Sequence, residues 1–261
     1  MKYNLDTIFN ISKDNAFMNI QEDMFGYIEK IHDFPRYYDQ KDIDLVFSYF
    51  SRGFDISCFN ENARKLYELS AYAFDIFIHA WMSEHPIETQ LLSFSRRVIA
   101  AGKNTGGDQK QRRREAERTA NDRGDDDTRI VHEAAYKAGH EIHRIMGLLR
   151  FSPDEAGTFI AYCEPDHFII PALAEYFTAR FAETAWLIID KKRKLFLSRK
   201  PGETARLALS PPDFVRQAEN QDEWEELWKH YHKTINNESR NNAGLQRQLM
   251  PKRYWKYLPE V

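Results

Sequence analysis

A chain of 261 residues that is 42% hydrophobic and 30% charged can bury a substantial core, which excludes an intrinsically disordered polymer. Its formal net charge of -3 sums opposed local blocks and so does not exclude an anionic partner. The two cysteines, Cys58 and Cys163, are far apart and form no C-x-x-C, which excludes a disulfide scaffold, a zinc finger or an iron–sulfur cluster held by this chain alone.

The opening residues, MKYNLDTIFNISKDN, carry no apolar signal core, and no run approaches the roughly 18 apolar residues of a membrane span. The expectation is a cytoplasmic protein with no membrane association. Tyr3, Leu5, Thr7 and Phe9 alternate with polar residues, as in a strand. Ile43, Val46, Phe47 and Phe50 recur at helical spacing, and Gly53 is placed to end the turn. A longer helix is expected from Asn60 to Met82, with Ala63, Leu66, Tyr67, Ser70, Phe74, Phe77 and Ile78 along one face. Pro86 interrupts, and a new helix carries Ile87, Leu91, Leu92 and Val98. The region 1–101 therefore reads as a helical N-terminal half whose aromatics pack together.

The stretch 102–127 is almost free of large apolar residues and reads as a flexible charged linker or insertion. Arg112, Arg113 and Arg114 can form a solvated helix with Glu115 and Glu117, or follow a phosphate backbone. Asp125, Asp126 and Asp127 suit the positive end of the next helix. That helix spans about Asp127 to Phe151 on an apolar stripe of Val131, Ala135, Ala138, Ile142, Ile145 and Leu149. Its other side carries His140, His143, Arg144, Gly147 and Arg150. An internal helix glycine costs about 1 kcal/mol relative to alanine, so Gly147 implies a close approach there by another helix or a ligand.

Thr158 to Cys163 alternates as a strand and ends at the Glu164-Pro165-Asp166-His167 corner. Pro171 suits the first turn of a helix whose Leu173, Tyr176, Phe177 and Phe181 face the core. Trp186–Ile189 reads as a buried strand, Asp190-Lys191-Lys192 as a turn, Arg193–Ser198 as its hairpin partner and Arg206–Leu209 as a third strand. Pro211-Pro212 closes the sheet region. Residues 213–226 are acidic, and from Lys229 onward the balance turns basic. Trp224, Leu227, Trp228, Tyr231 and Ile235 form a helical stripe. The fold expectation is α+β, with a small, mainly antiparallel sheet flanked by helices in an α+β domain at 128–261.

One group of these residues resembles a known family. His143-Arg144, Gly147, Arg150-Phe151, the Glu164–His167 corner, Phe177, Arg180-Phe181 and Trp186 come first. Leu227-Trp228, Tyr231, Met250–Trp255 and Leu258-Pro259-Glu260 follow in the same order. The set resembles an uncharacterised bacterial family assigned to DNA metabolism or DNA repair, over about Glu84 to Val261 with an insertion at 102–127. Members typically accompany a radical-SAM protein of DNA modification or repair. The domain also resembles an extension fused to uracil-DNA-glycosylase-like proteins. Met146 stands where relatives often have lysine, and Tyr176 where they often have histidine. The resemblance implies a DNA context and establishes no catalytic mechanism.

Two chemistries fit the singled-out residues. Arg144, Arg150 and Arg180 on one wall, with Lys252, Arg253, Tyr254 and Trp255 on the other, suit phosphate neutralisation and base stacking. On that reading the protein is a DNA-binding accessory to a radical-SAM repair or modification enzyme, with no cofactor of its own. Alternatively, Glu164, His167 and His143 form an acid/base set acting on damaged or modified nucleic acid. A metal site from His140, His143, Glu164 and His167 is a further option, though no metal is the expectation. A structural reading pairs Glu164 with Arg144 or Arg150. A third function is a protein–protein adaptor using the acidic 213–226 block.

Overall fold

The computed structural model describes residues 40–154, 157–209 and 243–258. The strand expected at Tyr3–Phe9, Pro211-Pro212, the acidic 213–226 block and the Trp224–Ile235 stripe lie outside these residues. The chain divides into two compact units, Met1–Gly139 and His140–Val261.

The described part of the first unit is helical: α1 (Gln40–Tyr49), α2 (Glu61–Leu69), α3 (Ala71–Met82), α4 (Glu88–Asn104) and α5 (Gln109–Ala120). The helix α6 (Asp126–Leu148) begins in this unit. The single helix expected over Asn60–Met82 is in fact two. Ser70 breaks it, because its Oγ accepts from the Ala73 amide at 3.0 Å while its own N–H closes the previous helix on Leu66 O. Its extended backbone makes it the end of α2 and the N-cap of α3 at once. The expected aromatic core is present. Tyr49, Phe54, Phe59 and Tyr67 all pack around Phe74.

Within the charged 102–127 stretch, α5 is ordered by what surrounds it. Asp108 accepts from the Gln111 amide at 2.9 Å, and Arg113 Nε donates to Glu68 O at 3.1 Å. Ala116 and Ala120 are fully buried, and α5 packs against α4 and α2. On its own side α5 buries only these two alanines, so it is held without a large apolar stripe. Asp125 then caps α6 by accepting from the Thr128 amide at 2.9 Å, as the acidic cluster suggested.

The second unit contains a five-stranded sheet in the order β1-β2-β3-β4-β5. The strands are β1 (Phe151–Pro153), β2 (Phe159–Cys163), β3 (Trp186–Asp190), β4 (Leu195–Arg199) and β5 (Arg206–Leu209). All pairings are antiparallel except β2–β3. The parallel pair requires a crossover, supplied by a 3-10 turn (Ile170–Leu173) with Pro171 in its first positions and by α7 (Ala174–Phe181). The fold is α+β with a mixed, mostly antiparallel sheet. Every residue of β3 is buried, as befits a strand packed on both faces. Leu173 and Phe177 turn inward as expected, whereas Tyr176 is 40% exposed. The last described elements are α8 (Ala243–Leu249) and a 3-10 turn (Lys252–Tyr257) packed against β2. Among the described residues no helix is long and apolar enough to cross a membrane.

Candidate functional site at the 164–167 corner

The corner follows β2 at the same end of the sheet as the β3–β4 turn, because β2 and β3 run parallel in register to Cys163 and Asp190. Three elements hold it. The first is α6, through Glu141, which is only 2% exposed. Its Oε1 accepts from the Asp166 amide at 2.9 Å and its Oε2 from the His167 amide at 2.7 Å. Two consecutive N–H groups thus share one buried carboxylate, an arrangement that fixes the turn and satisfies the charge.

The second is the β3–β4 turn. Arg193 is buried against Asp190, with Nη1 to Oδ2 at 2.9 Å. It also donates to Pro165 O at 3.0 Å and Asp166 O at 2.7 Å. Asp190 in turn accepts from the Lys192 and Arg193 amides at 2.9 and 3.1 Å, and Lys192 Nζ reaches Asp166 O at 3.1 Å.

The third is the terminal 3-10 turn. The buried Tyr254 donates its hydroxyl to Glu141 Oε1. Arg253 meets Asp166 Oδ2 at 2.8 Å and stands 3.6 Å from Glu141, with its guanidinium over the Tyr254 ring. Tyr257 donates to Glu164 Oε1 at 2.6 Å, and Lys256 occupies the other Glu164 oxygen. Burial acts to raise the Glu164 pKa, but the hydrogen bonds from Lys256 and Tyr257 outweigh it and hold the carboxyl below its usual range. The Tyr254 and Tyr257 hydroxyls are pushed upward, first by burial and then by the carboxylates they face. Cys163, wholly buried beside them, has its thiol raised well above its usual value by desolvation.

The structure therefore brings Glu164, His167, Lys252, Arg253, Tyr254 and Trp255 to one corner. It distributes the remaining candidates elsewhere in the unit. His143 is exposed on α6, and Arg144 is half-buried there. Arg150 donates to Gly147 O at 2.9 Å at the C-terminal end of α6, where basic groups complement the helix dipole. Arg180 is exposed on α7, 3.5 Å from the Tyr176 hydroxyl. Two expectations are corrected. Glu164 pairs with Lys256 and Tyr257 rather than Arg144 or Arg150, because the terminal turn packs on β2 and reaches the carboxylate first. Among the described residues nothing lies within 4 Å of the position a Gly147 Cβ would occupy, so no described helix packs closely there. Among the described residues no group of three or more His, Cys, Asp and Glu is arranged to hold a metal, so the four-residue metal option is not assembled.

Glu141 is the residue that sequence reasoning passed over. Its signal was present: it lies three residues from Ala138 and four before Ile145, a lone acid beside an apolar stripe. In the first unit Asp75 is a comparable omission. It accepts from Tyr49 at 2.6 Å and lies 3.3 Å from His79.

The balance of charge at the corner is cationic, with aromatic rings beside it. The corner, turn and terminal segment carry Lys191, Lys192, Arg193, Lys194, Lys252, Arg253 and Lys256 against Glu141, Glu164, Asp166 and Asp190, seven cations to four carboxylates. Lys191 Nζ lies 4.8 Å from the centre of the Tyr162 ring, Lys252 Nζ 5.8 Å from that of Trp255, and Lys256 Nζ 5.0 Å from that of Tyr257. A family model described as a domain of unknown function, DUF4130, matches residues 109–260. No curated protein and no solved structure gives a significant match.

Proposed function

The chain belongs to the DUF4130 family, and on that premise we propose that it is a DNA-binding accessory protein whose 164–167 corner presents a phosphate-contacting surface. The observation that carries the reading is the pair of lysines beside aromatic rings at the corner: Lys191 by Tyr162 and Lys252 by Trp255. Ammonium groups neutralise phosphates, and neighbouring ring faces stack on unpaired bases. The local excess of three positive charges points the same way. The family resemblance noted from the motifs adds the setting: DNA repair or modification beside a radical-SAM enzyme.

Arg253 and Glu164 have a different part in this reading. Each is committed to an opposite charge within the protein, Glu164 to Lys256 and Arg253 to Asp166, so these residues hold the terminal turn in place while Lys191 and Lys252 meet the nucleic acid. Acid/base catalysis by Glu164 is disfavoured, since it is ionised and both its oxygens are already engaged.

The test is a salt titration of labelled single- and double-stranded oligonucleotide binding by the full chain. Affinity is expected to fall steeply with salt, by a log–log slope of about -0.9 per neutralised phosphate on the duplex and about -0.7 on the single strand. Lys191→Gln with Lys252→Gln is expected to reduce the slope by two phosphates' worth, roughly 1.8 on the duplex and roughly 1.4 on the single strand. Absence of salt-dependent binding by the unaltered protein, or an unchanged slope in the double variant, refutes the assignment.

A further inference from the structure

We infer that α5 is a second nucleic-acid contact, in which a stripe of cations on the first unit engages backbone phosphates independently of the corner. The inference rests on the DNA-binding reading and adds a surface to it. In twelve residues α5 carries Lys110, Arg112, Arg113, Arg114 and Arg118 against Glu115 and Glu117. Its buried residues are only Ala116 and Ala120, and Lys110, Arg112, Arg113, Arg114 and Arg118 are all exposed. Arg113 is tied back to Glu68 O at 3.1 Å. Lys110, Arg114 and Arg118 follow an i, i+4, i+8 course and stack in one row, with about 6 Å of helix rise between neighbours. That separation is close to the step between successive phosphates of an extended strand.

Beside this row is a depression of about 410 Å³ lined by Thr105, Gln111, Arg114, Glu115 and Arg118. Two guanidiniums and an amide line it and can donate to phosphate oxygens, while the Thr105 hydroxyl donates to Ala101 O at 2.8 Å. Glu115 is the one opposing charge in the lining, and it stands 3.9 Å from Arg118.

The occupant follows from what the face lacks. A protein partner is normally anchored by a large apolar or aromatic side chain at the centre of its interface. The helix α5 contains none, and among the described residues the exposed large hydrophobics lie on other elements, at Tyr72, Tyr136, Tyr176, Leu245 and Leu249. A nucleic-acid backbone needs no such anchor, because phosphate neutralisation supplies its affinity. The excess of arginine over lysine also suits planar phosphate recognition.

The experiment compares the full chain with Arg114→Ala/Arg118→Ala and Arg114→Lys/Arg118→Lys by anisotropy on a labelled single-stranded oligonucleotide across a salt series, with polyglutamate as competitor. Circular dichroism checks that both variants keep their helix content. The alanine pair is expected to weaken binding about tenfold or more and to lower the salt slope by roughly 1.4, two phosphates' worth on a single strand, while the lysine pair keeps the slope. Polyglutamate is expected to compete far less well than unlabelled oligonucleotide. If the unaltered protein binds but the folded alanine pair binds with the same affinity and slope, this inference fails and the corner reading stands. If polyglutamate competes equally well, the face is an acidic-protein site and the inference also fails. If the unaltered protein binds no oligonucleotide, both readings fail.

Discussion

Replacing Glu141 by alanine is expected to destabilise the second unit by about 3–5 kcal/mol, the range for removing one partner of a buried charged network. The figure follows from the groups left behind. The His167 amide is buried and the Asp166 amide partly so, and each loses its acceptor, at 2.7 and 2.9 Å respectively. An orphaned buried donor costs about 1–3 kcal/mol. The Tyr254 hydroxyl loses its acceptor as well. Arg253 contributes little to the sum, since it is 44% exposed and keeps Asp166 at 2.8 Å. Glu141→Gln retains one carbonyl oxygen but turns an NH2 toward the other donor, so an intermediate loss is expected. The assay is amide hydrogen exchange at Asp166 and His167 alongside urea unfolding. A loss of about 3 kcal/mol corresponds to exchange faster by roughly a hundredfold. A destabilisation under about 1 kcal/mol with unchanged exchange would refute the argument. The corner would then be held by Arg193, which already reaches Pro165 O and Asp166 O.

Glu164 sets a pH dependence on the terminal turn. Its folded pKa lies below the usual carboxylate range, so its stabilising contribution is complete above about pH 4.3 and fades as pH falls through the folded value. Trp255 fluorescence is expected to report release of the turn in that acid window, and Glu164→Gln to remove the transition; an identical titration in the variant would count against the Lys256–Glu164–Tyr257 link. Gly147→Ala is expected to be neutral or stabilising by up to about 1 kcal/mol in a thermal melt, because the position is helical and open. A clear destabilisation there would mean that something does approach the backbone.

Much of the local architecture was legible without coordinates. The α6 stripe, the Asp125 cap, Pro171 at the start of a turn and the β3–β4 hairpin all follow from periodicity and capping chemistry, which act over a few residues. Ser70 was misread because a serine inside an apolar run is compatible with helix, and only its backbone conformation reveals a cap on both sides. At Gly147 the helix alternative is not met among the described residues, because a glycine's cost is visible in the sequence whereas the space around it is not.

Composition and spacing by themselves determined an α+β chain with a helical first part, a mostly antiparallel sheet, and a basic, aromatic terminal segment. Only the tertiary structure decided which charges meet. Glu141 lies 113 residues from Tyr254, and Glu164 lies 92 from Lys256. No periodicity reaches across such distances. The crossover between parallel β2 and β3 brings the corner to the β3–β4 turn, and the terminal turn then closes over both. Coulomb attraction rewards these pairings but cannot select them among 37 basic and 40 acidic side chains until the backbone has placed them side by side.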